Sequence, residues 1–267
     1  EETEETEEVV ESEETAAEVM SYADYGAADL DTEGVVETYV QAKQAWWENK
    51  ATVYTQTEDG AYFLYEMACT EEEYETLTEG TKIKVTGYKS EWSGEVEIID
   101  ATFEVVDGNF VAEPVDVTDK LGTDELIDFQ NQKVLFTDMT VVSVEYKNEQ
   151  PGDDIYVTFS KDDAEYSFCL EYYLNGSDEE FYNLVGGLEE GQVVDVEAFL
   201  YIALSLNIGA EAVTIGRIIK AQEYQGHQVL VHQGWIQNRC ILLNNACTFQ
   251  LFQSLTDCWH GQGNLLT

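Results

Sequence analysis

From Gly34 onward, apolar and polar side chains alternate with the two-residue period of a β-strand, whose successive side chains point to opposite faces. Val36, Tyr39 and Val40 mark the first such stretch, Ala51–Gln56 the second and Ala61–Met67 the third. The Glu58-Asp59-Gly60 turn joins the last two as a hairpin. Thr70-Glu71-Glu72-Glu73 then offers a hydroxyl and, three residues on, a carboxylate, each able to accept from the other's backbone amide and so start a short helix. That helix is predicted to end by Gly80. Lys82–Tyr88 and Val96–Val106 supply two more strands across a turn at Lys89–Gly94. The order is β-β-β-α-β-β.

Beyond Pro114, one of only two prolines, the pattern repeats. Strand-like stretches at Lys133–Glu145, Ile155–Phe159 and Tyr166–Tyr172 precede Ser177-Asp178-Glu179-Glu180-Phe181, which aligns with Thr70-Glu71-Glu72-Glu73-Tyr74. Leu184 stands to Ser177 as Leu77 stands to Thr70. Glu190-Gly191 answers Glu79-Gly80 with four residues more, about one helical turn. Five strands with a helix between the third and fourth is the layout of the OB-fold, a small partly open Greek-key barrel. The expected fold is therefore mainly β: two tandem five-stranded OB-type barrels, each with a short helix between strands 3 and 4. The corresponding organisation is an acidic spacer over 1–21, a first barrel over 22–112, a linker over 113–128, a second barrel over 129–219 and an atypical tail over 220–267.

The stretches WWENKATVY, EDGAYFLYEMACTEEEY, GTKIKVTGYKSEWSGEVEI and DVEAFLY, spread over residues 22 to about 201, resemble tandem OB-fold secreted lipoproteins of gut Firmicutes. That resemblance implies an extracellular protein held at the bacterial cell membrane by a lipid anchor upstream of residue 1. It implies no ligand and no activity.

Composition adds three constraints. A hydrophobic content of 44%, with 16 Tyr, 11 Phe and 5 Trp, is that of a chain able to bury cores. A formal net charge of −43 repels polyanions and anionic membranes, so nucleic acid is not an expected partner. The first twenty residues carry ten Glu and no basic residue, a composition that favours a solvated spacer. Five cysteines, an odd and scattered set, define no disulfide framework.

Charge also changes abruptly along the chain. Residues 1–202 hold 52 acidic and 9 basic groups, whereas 203–267 are neutral and carry all three His and three of the five Cys. Two readings fit. In one, Ala210–Ile219 still supplies the closing strand of the second barrel and the rest is accessory. In the other, the tail is an out-of-frame translation and that barrel loses its last strand, exposing a sheet edge.

Catalytic chemistry finds no support. Residues 1–202 contain no His, so a nucleophile-His pair would have to recruit His227, His232 or His260 from the tail. No phosphate-binding loop or dinucleotide fingerprint is present, and with 55 acidic residues a carboxylate pair arises by chance. Asp29-x-Asp31-x-Glu33-Gly34 imitates a calcium loop, but Val40 stands where a bidentate Glu is needed. Cys240, Cys247 and Cys258 lack the close pairing of a structural zinc site. Cys69 and Cys169 lie in apolar contexts expected to bury them. The expectation is a non-enzyme without cofactor or metal.

The functional signal is aromatic. OB-folds bind oligomers across strands 2 and 3, between the loops that join strands 1 to 2 and 4 to 5. In the first copy those loops and strands carry Trp46, Trp47, Tyr54, Tyr62, Tyr65, Tyr88 and Trp92, with Lys50 and Lys89 at their borders. These nine residues are the candidate ligand site, for a small oligomer such as a glycan, peptide or cell-wall fragment, or for a cell-envelope protein. The Trp rings could equally plug the barrel ends. Two other function classes stay open: single-stranded nucleic-acid binding, which charge opposes, and a structural or assembly role at the cell envelope.

Overall fold

Each alternating stretch has one apolar face to hide, and a sheet of such strands hides it by curling onto itself. The computed structural model describes residues 18–203 and 214–223. The first half comprises α1 (Tyr22–Ala27), β1 (Glu33–Lys43), β2 (Lys50–Gln56), β3 (Ala61–Ala68), α2 (Glu71–Thr76), β4 (Thr81–Trp92) and β5 (Glu95–Asn109). Its strands close into a barrel in the order β1-β2-β3-β5-β4, with β4 antiparallel to β1 and β5 parallel to β3. Val36, Val53, Leu64, Met67, Ile83 and Val85 form its core.

The second half begins with a two-residue β6 (Val115–Asp116) and two 3-10 helices, Thr118–Lys120 and Asp124–Phe129. It continues with β7 (Lys133–Tyr146), β8 (Ile155–Lys161), β9 (Ala164–Leu170), α3 (Tyr172–Asn175), α4 (Glu179–Gly186), β10 (Val193–Ala203) and β11 (Thr214–Glu223). The strand order β10-β11-β9-β8-β7, closed by β10 on β7, repeats the first barrel's topology strand for strand. The fold is thus mainly β, two five-stranded barrels of OB type in tandem.

The capping box forms as the sequence implied: Thr70 accepts from the Glu73 amide while the Glu73 carboxylate accepts from the Thr70 amide. In the second copy the cap shifts by one residue, to Asp178, which accepts from the Phe181 amide. The strand expected over Tyr166–Tyr172 stops at Leu170, and Tyr172 opens α3 instead. Between β4 and β5 the expected open turn at Lys89–Gly94 contracts to Ser93-Gly94. Both residues have positive φ (51° and 93°), the requirement of a two-residue hairpin turn, so Lys89 to Trp92 remain in the strand. The predicted linker is not bare: its Val117 and Leu126 lie in the second core.

The fifth strand of the second barrel comes from the neutral segment. Thr214–Glu223 pairs with both β10 and β9, filling the place that an out-of-frame tail would leave open. The spacer residues 1–17, positions 210–213 of the expected closing strand, and 224–267 with every His and three Cys lie outside the described residues.

Candidate ligand-binding surface

In an antiparallel pair, residues in register share a face. Tyr54 pairs with Phe63, and both project from the outer wall of β2 and β3, where an OB groove is expected. In this chain the second barrel covers them. Phe199 of β10 stacks on Tyr54 with ring centroids 4.5 Å apart and planes 14° from parallel, and Tyr201 meets Phe63 edge-on at 6.1 Å. The four rings form a buried cluster of their own. Tyr54 is 1% exposed, and its hydroxyl donates at 2.7 Å to Glu171, which also accepts from the Gln44 amide at 2.9 Å. Arg217 of β11 places its Nε 3.0 Å from the same carboxylate, off line for a hydrogen bond but close enough for an ion pair, and its guanidinium lies over the Tyr201 ring at 3.9 Å. Burial pushes the Tyr54 phenol well above its ordinary range, and the Glu171 charge adds to that. Tyr54 is therefore an interface residue, not an open ligand contact.

Three more of the nine candidates are occupied inside the fold. Tyr62 faces the opposite way, into the barrel end plugged by α1, where it meets Tyr25 at 5.0 Å and Tyr22 at 5.5 Å. Burial, with Tyr22 and Asp59 nearby, pushes its phenol up to about 12. Lys89 is 9% exposed because its ammonium caps the end of α1, donating to the carbonyls of Tyr25, Gly26 and Ala28 at 3.2, 2.9 and 2.7 Å. It does not sit at the mouth. Trp46 is half-buried and donates its indole N–H to the Cys69 carbonyl at 2.8 Å, which ties the ring to the end of β3.

The other five lie on the surface. Trp47, in the loop between β1 and β2, is 68% exposed, and Trp92, at the tip of the β4–β5 hairpin, is 60% exposed. They flank the covered groove at the two loops the fold predicts. Tyr65 and Tyr88 are exposed on the outer wall between them. Lys50 is exposed but already paired, 2.6 Å from Glu66.

No family model and no curated protein matches this chain. Solved structures similar to it include the Ifi202 HINa domain in complex with 20bp dsDNA, at 14% identity and a TM-score of 0.38, covering 72% of this chain and 97% of that one. A murine DNA binding protein bound with ds DNA matches at 12% identity and a TM-score of 0.38, covering 72% and 98%. An aspartyl-tRNA synthetase from Leishmania major Friedlin matches at 14% identity and a TM-score of 0.33, and this chain spans only 22% of it. Likenesses of this strength carry no argument about function, and the fold assignment rests on the strand topology.

Electrostatics narrows what the surface can hold. All eleven Lys and Arg among the described residues are engaged within the protein. Lys43 donates to the Tyr74 carbonyl and lies over its ring, and Lys161 donates to two backbone carbonyls. Such a wall offers few cations to a phosphate backbone. Near α2, a cleft of about 310 Å³ lined by Asn49, Cys69, Thr70 and Glu73 holds no nucleophile ready to act, since burial, with the nearby Glu73 charge, raises the Cys69 thiol to about 11. Among the described residues no three His, Cys, Asp or Glu side chains gather into a metal site, and no helix is long and apolar enough to cross a membrane.

Sequence reasoning missed Phe199, Tyr201, Glu171 and Arg217 as the partners of Tyr54 and Phe63. The available signal was Phe63 and Tyr201 on strands with aromatic residues at the alternate, outward positions.

Proposed function

We propose that this chain is a non-catalytic binding module whose ligand surface is the aromatic rim of the first barrel rather than its groove. The observation that carries the reading is the pair Trp47 and Trp92, two indoles facing solvent at the two loops that border an OB ligand site. Large exposed aromatics cost solubility and mark contact surfaces, and their flat faces suit sugars, peptides and cell-wall fragments. In keeping with the resemblance to secreted lipoproteins, we place this role on a bacterial cell surface.

A second reading is nucleic-acid binding, with bases stacked on the same rings. Every base has a flat face to stack, so an oligonucleotide is the second probe. The net charge of −43 and the engaged cations oppose it.

The test is acrylamide quenching of the full chain against its Trp47→Phe and Trp92→Phe variants, with and without chito-oligosaccharides, peptides and oligonucleotides. Protection of the Trp47 or Trp92 contribution by one class supports the module and names its ligand. Protection by none at millimolar concentration sinks it. Oligonucleotide protection that survives physiological salt replaces the first reading by the second.

A further inference from the structure

The outer wall formed by β3, β5 and β4 combines aromatic faces with exposed carboxylates. Tyr88 is in register with Ile99 on one side and with Glu33 of β1 on the other. Tyr65 follows Phe63 and Leu64, which pair with Glu97 and Ile98, so it flanks Ile99 from the third strand. Tyr65, Ile99 and Tyr88 thus form one row, with Trp92 four residues beyond Tyr88 at the hairpin tip. Glu33, in register with Tyr88, and Asp100, next to Ile99, are exposed beside this row; neither forms a salt bridge among the described residues, and the one cation within electrostatic reach of Asp100 is Lys50, which is held by Glu66. The cation that β4 could have offered, Lys89, is turned inward onto α1.

We infer that this wall docks a basic peptide segment, extended along the row, with Lys or Arg side chains set over Tyr88 and Trp92 and answered by Glu33 and Asp100. The inference rests on the reading of this rim as a ligand surface and names its ligand class. A cation over an aromatic ring is attracted by the ring's negative face, and a carboxylate beside the ring adds to that attraction. A neutral sugar gains nothing from the two carboxylates, and a phosphate is repelled by them. The charge of the whole chain steers a basic partner toward the protein but cannot choose the wall; only the local rings and carboxylates do that.

The probe is a nonapeptide of alternating Lys and Gly, without aromatics, titrated into the full chain and read by shielding of Trp92 from acrylamide. Its counterpart with Gln for Lys and a neutral chito-oligosaccharide serve as comparisons. The basic peptide is expected to shield Trp92 and to weaken as salt rises. Removing both rings in Tyr88→Ala/Trp92→Ala, with binding then read by calorimetry, weakens it by about tenfold, at the scale of two exposed cation–π contacts. The double Glu33→Gln/Asp100→Asn weakens it by a comparable factor, whereas the same charge removal on the second barrel, Glu145→Gln/Glu165→Gln, leaves it within about twofold. All these positions are at the surface, so the variants keep the fold. Equal losses from both charge-removal doubles would reduce the binding to diffuse charge and overturn the inference. Shielding by the sugar or the Gln peptide but not by the Lys peptide overturns the ligand class while the rim reading stands. No shielding of Trp47 or Trp92 by any probe removes both.

Discussion

Tyr54 of the first barrel stacks on Phe199 of the second, centroids 4.5 Å apart and planes 14° from parallel, in the position where an OB groove would stack a ligand. One barrel thus fills the groove of the other. Truncating either ring removes a buried aromatic: Tyr54→Ala or Phe199→Ala should destabilise the chain by about 3 to 5 kcal/mol in urea unfolding. The pair should show a coupling of about 0.5 to 1.5 kcal/mol in a double-mutant cycle. Additive losses would mean that the rings do not meet.

The ion pair behind that stack gives a sharper test, because Arg217 lies in the neutral segment that follows the acidic one. Both its side chain and that of Glu171 are about 15% exposed. Arg217→Met leaves the Glu171 carboxylate buried beside Tyr54 without its cation and should cost about 3 to 5 kcal/mol. Adding Glu171→Gln should recover much of the loss, since the double variant buries no lone charge. An Arg217→Met variant as stable as the parent would show that Thr214–Glu223 does not close the second barrel.

How far the sequence could lead is visible in these same residues. Period-two alternation, the Thr70 capping box and its echo near Ser177 were local signals, and they sufficed for two barrels and, in each, the helix that leads from the third strand to the fourth. Alternation also tells that Tyr54 and Tyr62 face opposite sides, yet not what covers each side. Tyr54 met a second barrel and Tyr62 met α1, a helix announced only by Ser21 and Asp24, whose carboxylate accepts from the Ser21 hydroxyl. Lys89 read as a mouth residue because Lys89–Gly94 read as a loop. The two positive φ values at Ser93-Gly94 shortened that loop and kept Lys89 in a strand, where alternation turned it inward. Contacts between distant segments decided the site, and periodicity carries no record of them.

Lys89 supplies a third prediction. Three carbonyls at the end of α1 depend on its ammonium, and Lys89→Met leaves them without that donor. A cost of about 1 to 3 kcal/mol follows from the lost charge-assisted hydrogen bonds. Because Lys89 faces inward, the same variant should leave every ligand titration unchanged within error. A variant that folds normally but loses ligand would return Lys89 to the binding surface.

Alkaline pH should open the interface between the barrels. Burial raises the Cys169 thiol from 9.0 to about 12 and the Tyr201 phenol from 10.0 to about 12, with Arg217 holding both lower than burial alone would. A raised folded pKa means that the native state keeps a proton the unfolded chain gives up. The stabilisation is therefore complete below pH 9, where both states are protonated, and is lost as pH rises toward 12. Tyr62, at about 12 by its own burial, adds to the same slope inside the first barrel. Tyrosinate absorbance and far-ultraviolet circular dichroism, followed together from neutral pH upward, should show the buried phenols of Tyr54, Tyr62 and Tyr201 ionising only in step with loss of the β signal. Complete ionisation of all tyrosines near pH 10 with the β signal retained would show that Tyr54, Tyr62 and Tyr201 are open to solvent, and the groove with them.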